Sequence, residues 1–202
     1  MKKIFAALAV AFTVMVGNVS EASEITNEQR EKIFQEIKQD KTESETRIEA
    51  EMFESTFDWF IVPIVQDGMD KDDISDILHL FIIGEYDVLN TDNGAIFYRC
   101  FGYPGAMLVC KSAGETEHDP LKVLSLYYTT PENKEESAYT SWLLMAFVGS
   151  ISTDLDVRAL MSELTKEGSS GSVVKYGFKF SIRGEGNLNV LTVTRFNENS
   201  AP

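Results

Sequence analysis

The sequence predicts an α+β fold in which helices pack on one face of an antiparallel sheet of about five strands, with one extra helix near the N-terminus. Two stretches carry apolar residues at the i, i+3, i+4 and i+7 spacing of a helix face. Each stretch then leads to two strand-like runs around a glycine turn. The apolar positions are Ile74, Ile77, Leu78 and Phe81 in the first stretch and Val157, Leu160, Met161 and Leu164 in the second.

The first 22 residues have the order of an export signal. Lys2 and Lys3 precede an apolar run from Ile4 to Val16, and the small residue Ala22 ends the polar stretch that follows. This run is shorter than the roughly 20 residues that span a bilayer as a helix. We therefore expect cleavage after Ala22, an extracytoplasmic location (periplasmic or secreted) and no membrane insertion afterwards, with residues 23 to 202 forming a single globular domain.

The charge of the chain limits its partners. The formal net charge is −14, and removing residues 1 to 22, which hold two lysines and one glutamate, makes it −15. No basic stripe interrupts this acidic field, so nucleic acid and anionic lipid surfaces are excluded as partners. A cationic protein partner would be attracted; alternatively, the charge only keeps an exported protein soluble.

The extra helix is predicted for residues 26 to 41. Thr26 and Gln29 have the spacing of a capping box, in which each side chain bonds the other residue's backbone N–H. Ile33, Phe34 and Ile37 then supply one apolar side. The sequence thus marks both the start and the buried face of this helix.

An internal duplication is suggested when the chain is compared with itself at an offset of 83 residues, which lays Trp59 on Trp142. Copy one would span residues 47 to 111 and copy two residues 132 to 196, each reading helix, helix, hairpin, with a linking strand at 121 to 129. Alternatively, an α+β protein of this size contains two similar helix pairs without any duplication. The segment 167 to 172, rich in Gly and Ser, is expected to be a flexible connector.

Cys100 and Cys110 are the two cysteines of the chain. A hairpin loop centred on Gly105 would make them directly opposite, at a Cα distance that a disulfide can bridge. A redox-active pair is the alternative, but such pairs usually have the Cys-x-x-Cys spacing. We therefore predict a structural disulfide between Cys100 and Cys110.

The tip of this hairpin carries two aromatic residues and one methionine, whereas the second hairpin has a polar tip. A stapled apolar tip is suited to docking on another protein. We therefore predict that Phe101, Tyr103, Pro104 and Met107 form a binding site. In the alternative, Tyr103 and Met107 pack against the domain and the segment is only a turn.

The sequence shows no motif for catalysis, a metal or a cofactor. His118 has acidic neighbours but no second histidine or cysteine at ligand spacing, which indicates a solvated loop. The polar residues before Gly94 fail the EF-hand pattern and indicate a turn; they are Asp87, Asn90, Asp92 and Asn93. No catalytic residue, metal ligand or cofactor site is predicted, although a pair of carboxylates could still carry out glycoside hydrolysis.

In layout alone, two helix-helix-sheet repeats in a secreted acidic chain, the sequence resembles the tandem-repeat inhibitor of β-lactamase. No motif matches residue by residue, so the resemblance implies no site residue. It implies a binding or inhibitor-like role. We expect a non-enzymatic interaction protein; the alternatives are a carboxylate-based glycan hydrolase and a self-associating structural protein of the envelope.

Overall fold

The computed structural model describes residues 24–68, 78–101, 105–166 and 170–196. Four helices and seven strands occupy these ranges. In chain order they are α1 (Asn27–Gln39), α2 (Ala50–Gly68), β1 (Asp87–Thr91), β2 (Gly94–Phe101), β3 (Ala106–Ser112), β4 (Leu121–Thr129), α3 (Lys134–Ile151), α4 (Val157–Leu164), β5 (Ser170–Lys175), β6 (Phe178–Glu185) and β7 (Leu188–Arg195). The predicted α+β class is confirmed.

The strands form one antiparallel sheet in the order β1-β2-β3-β4-β7-β6-β5. Seven strands replace the predicted five, because two polar segments join the sheet at its edges. The segment predicted as a polar turn forms β1, and part of the predicted Gly-Ser connector forms β5. An edge strand is held in place by backbone hydrogen bonds to its one neighbouring strand, and it does not need a continuous apolar face. Hydrophobic periodicity therefore does not detect such strands.

Helices cover both faces of the sheet. Three helices, α2, α3 and α4, share the larger core with one face, and the rings of Phe53 and Phe147 meet there at 5.7 Å. On the opposite face, Ile33 and Ile37 of α1 are buried against a smaller cluster that includes Tyr127. The predicted one-sided packing therefore holds for α2, α3 and α4, while α1 lies on the other side.

The start of α1 is the one that the sequence predicts. The Thr26 backbone N–H donates to Oε1 of Gln29 at 2.9 Å, and the Gln29 N–H donates to Oγ1 of Thr26 at 3.2 Å. These bonds satisfy donors that a helix start otherwise leaves free. The capping box is confirmed, and the helix ends two residues before the predicted boundary.

No rotation relates the two predicted copies, residues 47 to 111 and 132 to 196. Strands β1 to β3 and β5 to β7 lie in mirrored order on either side of β4. Both β3 and β7 run antiparallel to β4, so they share one direction, and the helices of both halves lie on the same face. A rotation that keeps the strand direction and the face covered by helices must also keep the order of the strands across the sheet. The observed order is reversed. The predicted internal duplication is therefore not confirmed by the topology.

Candidate functional site

Two of the four side chains chosen for the predicted docking tip, Phe101 and Met107, are not presented to solvent. Phe101 is buried and stacks on Phe57, with ring centroids 5.8 Å apart and planes at 23°. Met107 is buried in the cluster beneath α1. The prediction is therefore corrected for these two residues, which belong to the core. Tyr103 and Pro104 lie outside the described residues, and their role stays a prediction.

The predicted disulfide between Cys100 and Cys110 is wrong. Phe101 pairs with Ala106, so the pairing of β2 with β3 is not centred on Gly105. Cys100 therefore faces Met107, and Cys110 faces Phe97. The two cysteines lie on opposite faces of the sheet, where their side chains cannot meet, and both are free.

Cys110 is a core residue rather than a reactive thiol. It is completely buried on the α2 side of the sheet, and burial raises the pKa of its thiol to about 12 despite a hydrogen bond with Tyr86. Because the thiolate is the nucleophilic form, Cys110 is unreactive at neutral pH. Neither thiol forms a redox pair in this arrangement.

The outward side of α2 carries the most exposed large apolar side chain among the described residues. Trp59 is 69% exposed, and Met52 on the same stripe, seven residues earlier, is 47% exposed. The indole of Trp59 meets the ring of Phe60 edge-on at 5.0 Å. We call Met52 and Trp59 the α2 stripe. It presents an ordered aromatic anchor that nothing in the described ranges covers.

Carboxylates crowd one side of the α2 stripe. The acidic flank consists of Glu51, Glu54, Asp58, Glu85 and Glu117. The pKa of Glu54 is raised, first by partial burial and then by the negative charges of the other four members. This mutual repulsion is relieved when a cation approaches. The α2 stripe and the acidic flank together form the candidate site.

Asp58 also fixes the geometry of the flank. Its carboxylate accepts hydrogen bonds from the backbone N–H of Ile83 at 2.7 Å and of Gly84 at 3.1 Å. These two bonds tie the segment before β1 to α2. They place Glu85, the next residue, beside the helix.

His118 lies at the end of the flank, beside Glu51. Its Nδ1 is 2.9 Å from Oε2 of Glu51, and both side chains are well exposed. The neighbouring Asp119 accepts from the backbone and the hydroxyl of Thr116. Within the described ranges, no three His, Cys, Asp or Glu side chains converge as a metal site.

Sequence reasoning missed this site because it used Trp59 only as the counterpart of Trp142 in the offset comparison. Trp142 is only 5% exposed, whereas Trp59 lies at the surface. The available signal was the carboxylates: Glu51, Glu54 and Asp58 interrupt the apolar pattern of α2 and indicate a side that faces water. No comparable set interrupts the centre of α3, whose residues are buried on nearly every side.

Comparisons with protein-family models, with curated proteins and with solved structures found no match. Of the helices that the structure describes, none is both long and apolar enough to cross a membrane.

Proposed function

We propose that this chain is an exported, non-enzymatic interaction protein that binds a cationic segment of a protein partner through the α2 stripe and the acidic flank. The observation that carries the proposal is the exposure of Trp59, 69%, on an ordered helix beside five carboxylates. Tryptophan is among the residues that contribute most at protein interfaces.

The anchor is prepared for binding. Trp59 rests edge-on against Phe60, and Phe60 lies against the site of Gly149 on α3, where a Cβ atom would come within 3.3 Å of its ring. The absence of a side chain at Gly149 thus lets Phe60 sit close to α3 and support the indole. A side chain that is already ordered loses little rotamer freedom when it is covered.

The charge of the site selects the partner. A Lys or Arg side chain next to the indole would gain a cation–π contact and neutralise part of the acidic flank. The net charge, −14 for the full sequence and −15 after removal of residues 1 to 22, adds long-range attraction that accelerates encounter and weakens as salt rises. These features favour a partner segment that contains both apolar and basic residues.

Site-specific photocross-linking tests this proposal. A photoreactive amino acid would replace Trp59, and in a control chain it would replace Tyr176, which is 62% exposed at the far edge of the sheet. We expect a product from the native envelope fraction at position 59 only, with the label in a Lys- or Arg-rich segment. Equal labelling at both positions, or labelling of an acidic segment, would contradict it.

Export itself rests on the leader, residues 1 to 22, and has a separate test. Cleavage after Ala22 would leave Ser23 as the first residue. N-terminal sequencing of the protein from the extracytoplasmic fraction is expected to begin there. Recovery of the chain only from the cytoplasm, with Met1 retained, would reject the location while leaving the binding proposal open to the cross-linking test.

One observation favours the second candidate, a carboxylate-based glycan hydrolase. The pKa of Glu54 is raised, which is the direction that a general acid requires, and Asp58 lies nearby. Both oxygens of Asp58, however, already accept backbone N–H groups, so this carboxylate is engaged in holding the segment before β1. Release of reducing sugar from cell-wall glycan by the purified protein, abolished by Glu54→Gln, would establish the hydrolase instead.

A further inference from the structure

A cavity of about 240 Å³ opens on the face of the sheet opposite α2, between α1 and the β6–β7 hairpin. We call it the α1 cavity. It is smaller than the roughly 300 to 1,000 Å³ of pockets that hold drug-sized ligands. Its size suits a small metabolite.

The floor of the α1 cavity is apolar. Ile33 of α1, Tyr127 of β4 and Val190 of β7 line it, and all three are buried. Burial raises the pKa of Tyr127, so its phenol is neutral at physiological pH. Such a floor favours contact with a hydrocarbon group.

Two ion pairs cross the mouth of the cavity from α1 to β6. Lys32 Nζ lies 2.7 Å from Oε1 of Glu185, and Arg183 pairs with Glu36. Residues four apart on a helix and two apart on a strand are both separated by roughly 6 to 7 Å, so the pairs lie side by side. The four charges alternate in sign around the opening and sum to zero.

This charge pattern discriminates among ligands. A simple anion that approached the two cations would also face Glu36 and Glu185, and a simple cation would face Lys32 and Arg183. A zwitterion avoids both conflicts, because its carboxylate and its ammonium group each find an opposite charge. The rim side chains are substantially exposed, so exchanging their partners costs little.

We propose that the α1 cavity binds a free α-amino acid with a branched apolar side chain. The side chain of leucine would contact Ile33, Tyr127 and Val190, while its carboxylate and ammonium groups would pair with the charges at the mouth. This site is separate from the α2 stripe, so the two proposals succeed or fail independently.

Isothermal titration of the full chain with four probes tests the ligand class. The probes are leucine, 4-methylpentanoate, which lacks the ammonium group, 3-methylbutylamine, which lacks the carboxylate, and glycine, which lacks the side chain. We expect saturable one-to-one binding of leucine and at least tenfold weaker binding of the other three. Equal binding of either singly charged analogue, or no binding of leucine at millimolar concentration, would overturn the proposal.

A charge-neutral pair of substitutions locates the site. Lys32→Gln combined with Glu185→Gln removes one rim pair and leaves the net charge unchanged. The matched control, Lys175→Gln with Glu163→Gln, removes a 3.0 Å pair between β5 and α4 that does not line the cavity. We expect leucine to bind the first variant at least tenfold more weakly and the control within twofold of the unmodified protein; equal affinities for the two variants would overturn the assignment.

Discussion

The indole of Trp59 and the ring of Phe60 meet at 5.0 Å with their planes at 82°, although the two side chains lie in different surroundings. Phe60 packs against the core, whereas Trp59 is largely exposed. An edge-to-face pair of this kind contributes about 0.5 to 1.5 kcal/mol. The pair therefore anchors an exposed aromatic to the folded core of the protein.

Asp58 is expected to support both the fold and the acidic flank. Asp58→Asn replaces one acceptor oxygen by an NH2 group that faces a backbone N–H, so it should lower the free energy of unfolding by about 1 to 3 kcal/mol. It also removes a negative charge that raises the pKa of Glu54, so that pKa should fall. Urea denaturation and an NMR titration of Glu54 measure the two effects. The control is Asp67→Asn, at an exposed position on the same helix, with a change within about 0.5 kcal/mol; an equal loss in both variants would contradict the role of Asp58.

Glu54 is expected to make stability depend on pH. Its pKa is higher in the folded state than its ordinary value of 4.5, so the folded chain holds this proton more tightly. Stability is therefore lost as pH rises from the ordinary value through the raised one. Glu54→Gln should raise the melting temperature at pH 7, and the gain should disappear well below pH 4.5. Glu45→Gln, at an exposed site outside the flank, is the control. A gain that persists at low pH would show a cause other than charge.

The two cysteines are expected to remain thiols after exposure to an oxidising compartment. The intact mass of the native protein should correspond to two free thiols. Cys110 should resist a thiol reagent at pH 8 until the protein is denatured, because it is fully buried and has a raised pKa. A mass lower by two hydrogens, restored by reduction, would show that the strand register of β2 and β3 is different.

Gly171 explains how a Gly-Ser segment serves as an edge strand. A Cβ atom at this position would lie 2.2 Å from the backbone carbonyl oxygen of Leu164, at the end of α4, so only glycine allows β5 to pack so closely. Gly171→Ala should destabilise the fold by about 1 to 3 kcal/mol. Ser172→Ala, at the exposed neighbouring position, should change stability by less than about 0.5 kcal/mol. Equal thermal stabilities of the two variants would contradict the close approach.

The sequence predicted those elements whose apolar pattern is strong. The capping box of α1, the central strand β4 and the cores of the two hairpins were all marked by local signals. The edge strands β1 and β5 lack such a pattern, since they depend on a neighbouring strand and, at Gly171, on contact with α4. Periodicity alone could not detect them.

The site was harder to predict than the fold. Because Gly105 was taken as the centre of the hairpin, Cys100 was predicted to pair with Cys110, whereas it pairs with Met107. This is a shift of three positions, and any odd shift exchanges the two faces of a strand. The exposure of Trp59 could not be read from its apolar neighbours, because it depends on which side of α2 meets α3 and the sheet. Tertiary packing decides that orientation.

The most direct test of the proposed function is the affinity of the cross-linked partner for three forms of the purified protein: unmodified, Trp59→Ala and Tyr176→Ala. We predict that Trp59→Ala weakens binding at least tenfold, which is about 1.4 kcal/mol, that its melting temperature falls only by the loss of the one ring contact with Phe60, and that Tyr176→Ala binds normally. Binding should also weaken as salt rises. If Trp59→Ala binds as tightly as the unmodified protein, the α2 stripe is not the binding site.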